Sequence, residues 1–262
     1  MIELGLPLIL LTIVGFCIGI FISTASGTAA TLLIPLLTLG LGHSTPQSIG
    51  TSLALDSIIA GTAAVIYIKH KQIDLKSTAV LVCFGIIGSL LGSQFTTSAP
   101  ETVLKIIIGC FLVFIGFSFA RKGVKKNITY LQRNIKITFL QNHTMVSLLI
   151  LGLIVGTMSG FIGIGGGRII TIILIFILGY RFHQAVGTSL IIMFFIAGTG
   201  AISHGLQQDI LPSIIGLLSI PVFIGTVLES MYANQIDEVK LSRIAGIIIF
   251  IFGLTIIITA FL

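Results

Sequence analysis

Charge is scarce in this sequence, and that scarcity excludes a soluble globular protein. Asp, Glu, Lys and Arg make up 8% of its 262 residues, whereas a soluble domain carries about 25%. Hydrophobic residues make up 55%, and the mean hydropathy is +1.18. The apolar runs approach the roughly 20 residues of a membrane-spanning helix and lack the polar alternation of a membrane barrel. The sequence therefore predicts an all-α, polytopic integral membrane protein.

Sequence patterns of ATP-driven and hydrolytic proteins are also absent. No G-x-x-x-x-G-K-[ST] pattern is present, so this chain does not drive itself with ATP. H-E-x-x-H and G-x-S-x-G are missing too, which removes the usual catalytic groups of an intramembrane hydrolase. We therefore expect neither an enzyme nor a bound cofactor.

Cysteine is rare and widely spaced. Cys17, Cys83 and Cys110 lie in separate apolar runs, with neither a metal-binding spacing nor a disulfide framework. Three buried free thiols and no metal site are expected.

The few charged residues are mainly basic, with a formal net charge of +6. In a soluble protein this balance would suggest nucleic acid; here it indicates cytoplasmic loops, and no nucleic-acid partner is expected. Residues 1–4 lack the basic region of a signal peptide, which predicts that the first apolar run is retained as a span.

Ten apolar segments are predicted, five on each side of a basic linker at 121–143. The segments are 4–22, 29–42, 47–68, 77–95, 102–120, 144–159, 167–180, 184–204, 211–229 and 239–261. The predicted organisation is a membrane repeat at 1–120, the linker, and a second membrane repeat at 144–262.

The two halves are copies of one unit. A shift of 137 residues places Gly50-Thr51-Ser52-Leu53 on Gly187-Thr188-Ser189-Leu190, without a gap. The same shift places Ile59-Ala60-Gly61-Thr62 on Ile196-Ala197-Gly198-Thr199. Two identical tetrapeptides at one offset indicate a duplication.

Charge predicts the orientation of the copies. The linker holds six Lys and Arg residues and no acidic residue, so it is expected in the cytoplasm. If every segment crosses, each half has five crossings, the halves are inverted, and both termini face outward. Only Lys105 and Arg168 then lie outside, against 12 basic residues inside. We expect a multi-pass protein of a prokaryotic plasma membrane.

A glycine-rich break precedes a short apolar segment in each half. These segments, 29–42 and 167–180, have 14 residues, or about 21 Å of helix, against a roughly 30 Å hydrocarbon core. They either span with a tilt or are re-entrant. Short, interrupted segments at matching positions of inverted halves indicate a transporter's binding site, although small residues also serve close helix packing.

The breaks supply the first candidate anion-binding residues, because hydroxyls and free N–H groups can replace water around an oxyanion. The candidates are Ser23, Ser26, Gly27, Thr28, Gly163, Gly165, Gly166, Gly167 and Arg168. Arg168 either neutralises the substrate or extends to the outer surface.

The next long helix of each half supplies further candidates. Thr51, Ser52, Thr188 and Ser189 either bind the anion or hydrogen-bond a carbonyl one turn back. Asp56 lies about ten residues into its segment, where an ionisable group is a functional candidate. It either carries a coupling proton or bonds a neighbouring helix while neutral. The remaining polar candidates are three histidines and three acidic residues. We expect the histidines to be solvated at the membrane interface; they are His43, His183 and His204. We expect the acidic residues to lie in loops; they are Glu229, Asp237 and Glu238.

The glycine break, the short helix with Pro35, the following Gly-Thr-Ser-Leu start and the duplicated layout resemble the TauE/SafE family of sulfite and organosulfonate exporters. The resemblance covers essentially the whole chain. It implies a plasma-membrane transporter of small sulfur oxyanions or related organic anions. The chain departs from the family pattern where Ile172 replaces the second Pro, where residues 26–30 reduce the first glycine run, and at Arg168.

These observations predict a secondary transporter that exports a small anion by alternating access, with lipid and a coupling proton or sodium ion as further partners. Two alternatives stay open: an anion channel, and a non-transport protein that assembles with another membrane complex. The sequence fixes neither the anion nor the oligomeric state.

Overall fold

The computed structural model describes residues 12–20, 28–68, 75–122, 144–232 and 238–261. The regular structure in these ranges is helical. The candidates Ser23, Ser26 and Gly27, most of the linker, and Asp237 lie outside the described residues. The side chains of His183, Glu229 and Glu238 are also outside the description.

Ten α-helices occur in the described part of the chain. In chain order they are α1 (12–20), α2 (Ala30–Pro35, extended by a π-helical turn at Leu36–Gly40), α3 (Thr45–Ile68), α4 (Leu75–Ser98), α5 (Glu101–Lys122), α6 (Thr144–Ile162), α7 (Gly167–Leu178), α8 (Phe182–Leu206), α9 (Pro212–Tyr232) and α10 (Glu238–Thr259). The prediction of an all-α fold is confirmed, and each fully described segment overlaps a predicted one.

Five of these helices are long and apolar enough to cross a membrane. The crossing stretches are Thr45–Val65, Thr78–Ser98, Glu101–Ala120, Thr144–Ile162 and Gln184–Leu206. Shorter apolar stretches occur at Ala30–Gly40, Gly167–Leu178, Pro212–Leu228 and Arg243–Thr259. The chain is therefore a polytopic membrane protein, and α2 and α7 are short, as the sequence indicates.

Glycine produces the break between α6 and α7. Gly163 and Gly166 have φ angles of 82° and 73°, in the left-handed region that side chains with a Cβ rarely adopt. Helix α6 consequently ends at Ile162, and α7 begins at Gly167. The chain turns here within four residues inside the protein, where all the residues from 162 to 167 are buried.

Helices α3 and α8 form the centre of the fold and run antiparallel. Gly50, early in α3, packs against His204, late in α8. Further along α3, a Cβ at Gly61 would lie 2.8 Å from the ring of Phe194. The repeat shift maps α3 onto α8, so this is a contact between corresponding helices.

Helices α5 and α10, which also correspond, pack antiparallel through glycines. A Cβ at Gly109 would lie 2.9 Å from the carbonyl oxygen of Gly253, and a Cβ at Gly116 would lie 2.7 Å from that of Gly246. Small residues thus allow the backbones to approach closely, as is common in membranes.

The outer faces of the helices are apolar. Phe114 is 73% exposed and Ile202 is 67% exposed, as expected for side chains that face lipid. Cys17, Cys83 and Cys110 are free but exposed. Their predicted burial was wrong, because an apolar run in a membrane protein places part of its residues on the lipid-facing surface.

Candidate anion site between two helix breaks

A buried carboxylate lies where the two halves meet. Asp56 is in the middle of α3 and has no exposed surface. The Thr28 hydroxyl donates to its Oδ2 at 2.5 Å, and the Gly165 N–H donates to the same atom at 3.2 Å. The N–H of Ala29 donates to the other oxygen, Oδ1. Three donors from both breaks therefore surround one acidic group.

The donors Thr28 and Gly165 occupy corresponding positions, 137 residues apart. The Gly165 nitrogen lies 3.4 Å from Thr28 Oγ1. The two breaks, predicted separately in each half, thus contact each other through equivalent residues. We refer to Thr28, Ala29, Asp56 and Gly165 as the central cluster.

Gly165 must be glycine in this arrangement. A Cβ there would lie 2.6 Å from Met193 Cε and 2.8 Å from Asp56 Oδ2. Met193 is the repeat counterpart of Asp56. A thioether and a carboxylate therefore flank Gly165 at equivalent positions of the two halves.

The other predicted glycines shape the second break. The carbonyl oxygen of Gly163 accepts from Ser52 Oγ at 3.3 Å, and a Cβ at Gly166 would lie 2.7 Å from Val155. The carbonyl of Gly167 accepts from the Thr171 hydroxyl at 2.9 Å. These residues are buried and orient the turn that presents Gly165.

Apart from Thr188, the predicted hydroxyls of α3 and α8 hydrogen-bond groups outside the central cluster. Thr51 Oγ1 accepts from the N–H of Leu211 at 3.0 Å, which ties α3 to the start of α9. Ser189 Oγ accepts from Thr171 at 2.7 Å. Thr188 is fully buried, and its Oγ1 has no hydrogen-bond partner within the described ranges. The identical Thr-Ser pairs therefore differ in surroundings.

Arg168 is the second residue of α7 and is half-buried. Its guanidinium carbon lies 5.2 Å from the centroid of the Phe119 ring on α5, a cation–π distance. The cation is thus held against an aromatic face, three residues beyond Gly165.

His204 occupies a site that sequence reasoning missed. It was predicted to be solvated, which is wrong: it has no exposed surface, and its Nε2 lies 3.0 Å from the Gly160 carbonyl oxygen. Thr96 Oγ1 lies 3.0 Å from the carbonyl oxygen of Phe161. Carbonyls at the end of a helix lack partners within it, so His204 and Thr96 satisfy those at the end of α6.

Asp209 follows α8 in a loop next to this histidine. Burial raises the pKa of the Asp209 carboxyl group, and the neighbouring His204 partly opposes the shift. Gly50 of α3 packs against the Asp209 backbone. Gly50 therefore packs against both His204 and the loop after α8, although the histidine lies near a helix end.

Two cavities of the described part lie away from the central cluster. One, of about 170 Å³, is lined by Thr38, Leu39, Lys105, Ile256 and Thr259. Lys105 also lies 3.5 Å from Glu101, one helical turn earlier. The other, of about 360 Å³, is apolar and is lined by Phe95, Ser98, Ala99, Thr157 and Phe161.

The fold and this centre define a polytopic helical membrane protein in which the start of α2 and the turn before α7 meet at buried polar groups. The chain belongs to the family described as sulfite exporter TauE/SafE, whose model matches residues 11–256. The resemblance inferred from the sequence is thereby confirmed, and the family is one of transporters, not of enzymes. No solved structure is significantly similar to this chain.

Bacterial and archaeal proteins are similar over large parts of the chain. The "Probable membrane transporter protein YunE" of Bacillus subtilis is 28% identical over 170 residues, which are 61% of this chain and 62% of that protein. YdhB of the same organism is 25% identical over 77% of this chain and 82% of its own length. The protein MJ0441 of Methanocaldococcus jannaschii, with the same description, is 27% identical over 89% and 86%, respectively.

Proposed function

We propose that this protein is a secondary transporter that exports small oxyanions, such as sulfite or an organosulfonate, by alternating access through the central cluster. The observation that carries the proposal is the contact between Thr28 and Gly165, which joins the two breaks at N–H and hydroxyl donors. Donors of this kind can replace water around a small anion. Family membership supports the substrate class.

We further propose that residues 1–120 and 144–262 are inverted repeats joined by a cytoplasmic linker at 121–143. Corresponding helices run antiparallel in two pairs, α3 with α8 and α5 with α10. The close approach of Gly19 to Gly225 also has its counterpart in the approach of Gly156 to Gly88. An inverted relation of the halves accounts for all of these contacts and supports a rocking motion between two access states.

The membrane potential is sufficient to drive export. A negative interior moves an anion outward with about 2.3 kcal/mol per charge for each 100 mV. Uniport therefore suffices for export, whereas import requires a coupled proton or sodium ion. Asp56 is the residue of the cluster that could carry such an ion.

The test is flux into proteoliposomes that hold the purified protein. Labelled sulfite, sulfate and methanesulfonate are presented at imposed membrane potentials. A transporter gives saturable flux that follows the potential and shows counterflow, whereas a channel shows neither saturation at carrier rates nor counterflow. If the folded protein moves no anion at any potential, the alternative of an assembly partner is favoured. Identification of the proteins that co-purify with it is then the next experiment.

A further inference from the structure

The carboxylate of Asp56 has the position that a bound oxyanion would take. Its Oδ2 accepts from the Thr28 hydroxyl and the Gly165 N–H, and its Oδ1 accepts from the Ala29 N–H. Sulfite, sulfonates and carboxylates all present oxygens that accept such bonds. The donors that the proposed function assigns to substrate are therefore already engaged by a side chain of the protein.

The carboxylate and a substrate anion cannot occupy this space together. The cluster is buried, and two negative groups in contact at a buried site strongly disfavour each other. A Cβ at Gly165 would lie 2.8 Å from Asp56 Oδ2, so Asp56 also fills the space beside this N–H group. One anion must leave before the other can bind.

The second half carries no equivalent acid. Met193, the counterpart of Asp56, reaches the other side of Gly165 with an uncharged thioether. One carboxylate thus serves donors from both breaks, and a single side-chain movement would free all of them.

We propose that Asp56 is a tethered anion that holds the substrate donors in the resting protein, and that substrate binds by displacing it. The proposal rests on the proposed function for its substrate class. It assigns Asp56 as a competitor of the substrate, which keeps the central donors satisfied whenever no substrate is bound.

Formate tests the proposal, because it is a carboxylate of nearly the same size as the carboxylate group that the substitution Asp56→Ala removes. The thermal midpoint of the purified variant is measured in sodium formate and in sodium chloride of equal ionic strength. We expect formate to raise the midpoint of Asp56→Ala by more than that of the native protein, because Asp56 already occupies the donors in the native protein. Met193→Ala is the matched control: it removes a side chain from the other flank of Gly165 but keeps Asp56, so it should respond to formate no more than the native protein does.

Affinity for methanesulfonate provides the second measurement. Removal of the competing carboxylate should tighten binding to Asp56→Ala by about tenfold or more, corresponding to about 1.4 kcal/mol. Asp56→Asn retains the shape without the charge, and it should also bind methanesulfonate more tightly than the native protein does. If the alanine variant fails to fold, the affinity of Asp56→Asn for methanesulfonate provides the test.

The proposal is overturned if formate does not raise the thermal midpoint of Asp56→Ala, or if Asp56→Ala and Asp56→Asn bind methanesulfonate no more tightly than the native protein does. Formate binding needs neither a membrane nor flux, so it is independent of the transport assay. Flux without a formate response removes the tethered-anion assignment alone, whereas a formate response without any flux removes the proposed transport.

Discussion

Ser57 donates its hydroxyl to the carbonyl oxygen of Phe194 at 3.2 Å, and these two residues are repeat counterparts, 137 positions apart. Thr28 and Gly165 form the second such pair. A residue that touches its own counterpart lies close to the axis that relates the two copies. The proposed two-fold axis therefore passes through the central cluster, where the two halves would have to separate and rejoin during alternating access.

Gly165→Ala should disrupt the central cluster. The new methyl group would lie within 3 Å of both Met193 Cε and Asp56 Oδ2, and overpacking of this kind costs about 1–3 kcal/mol. We expect a lower thermal midpoint and the loss of most anion flux. Gly216→Ala is the control, because nothing lies within 4 Å of a Cβ at that position of α9. Equal behaviour of the two variants would contradict the packing described for Gly165.

Thr28→Val should weaken the cluster without a change of volume. It removes the hydroxyl donor of Asp56 at a buried site, for which a loss of about 1–3 kcal/mol is typical. We expect reduced stability and a fall in sulfite flux of about tenfold or more. Thr38→Val provides the control, because that hydroxyl donates within its own short helix to Ile34, at 2.7 Å. Both variants are measured for sulfite flux in proteoliposomes and for thermal unfolding. If Thr28→Val transports sulfite as well as the native protein does, the Thr28 hydroxyl does not bind the substrate.

Thr51→Ala and Thr188→Ala should differ, although their sequence motifs are identical. Thr51 Oγ1 accepts from the Leu211 N–H, and its removal should cost about 1 kcal/mol of stability. Thr188 Oγ1 has no partner in the part of the chain that the structure describes, so its removal should cost less. Thermal unfolding in detergent measures both. Equal stability together with an equal loss of flux would instead favour two symmetric substrate ligands.

The proposed topology places the loop after α8 outside and the linker inside. In a variant without the three native cysteines, Gln208→Cys should react with a membrane-impermeant maleimide added to intact cells. Asn127→Cys, in the linker, should react only after permeabilisation. The reverse pattern of labelling would overturn the assigned orientation, while the antiparallel helix pairs would stand.

Much of the fold follows from the sequence, because membrane helices must satisfy their backbone internally and therefore appear as long apolar runs. The predicted duplication also identified both breaks, and hence Thr28 and Gly165, as members of a candidate site. Asp56 was identified by its charge at membrane depth. The contact among the three could not be predicted, because nothing in either half specifies how closely the copies approach.

Other features of the site carry no signal in the sequence. The N–H of Ala29 is a backbone group, and an alanine gives no indication that its amide binds a carboxylate. His204 was misplaced because its position near a helix end suggested exposure, whereas its side chain packs against Gly50 and reaches the carbonyl oxygen of Gly160. The two Thr-Ser pairs are identical in sequence, but they acquire different partners because their surroundings in the two halves differ.

Under the proposed duplication, the pair of Asp56 and Met193 shows what joining the two copies in one chain would make possible. In an association of two identical, separate chains, any residue near the symmetry axis faces a second copy of itself. An aspartate at this place would then have met another aspartate, with like charges in a dry interior. A single polypeptide is free of that restriction, since each copy mutates independently. The centre of the molecule is therefore where a duplicated protein gains most from becoming asymmetric.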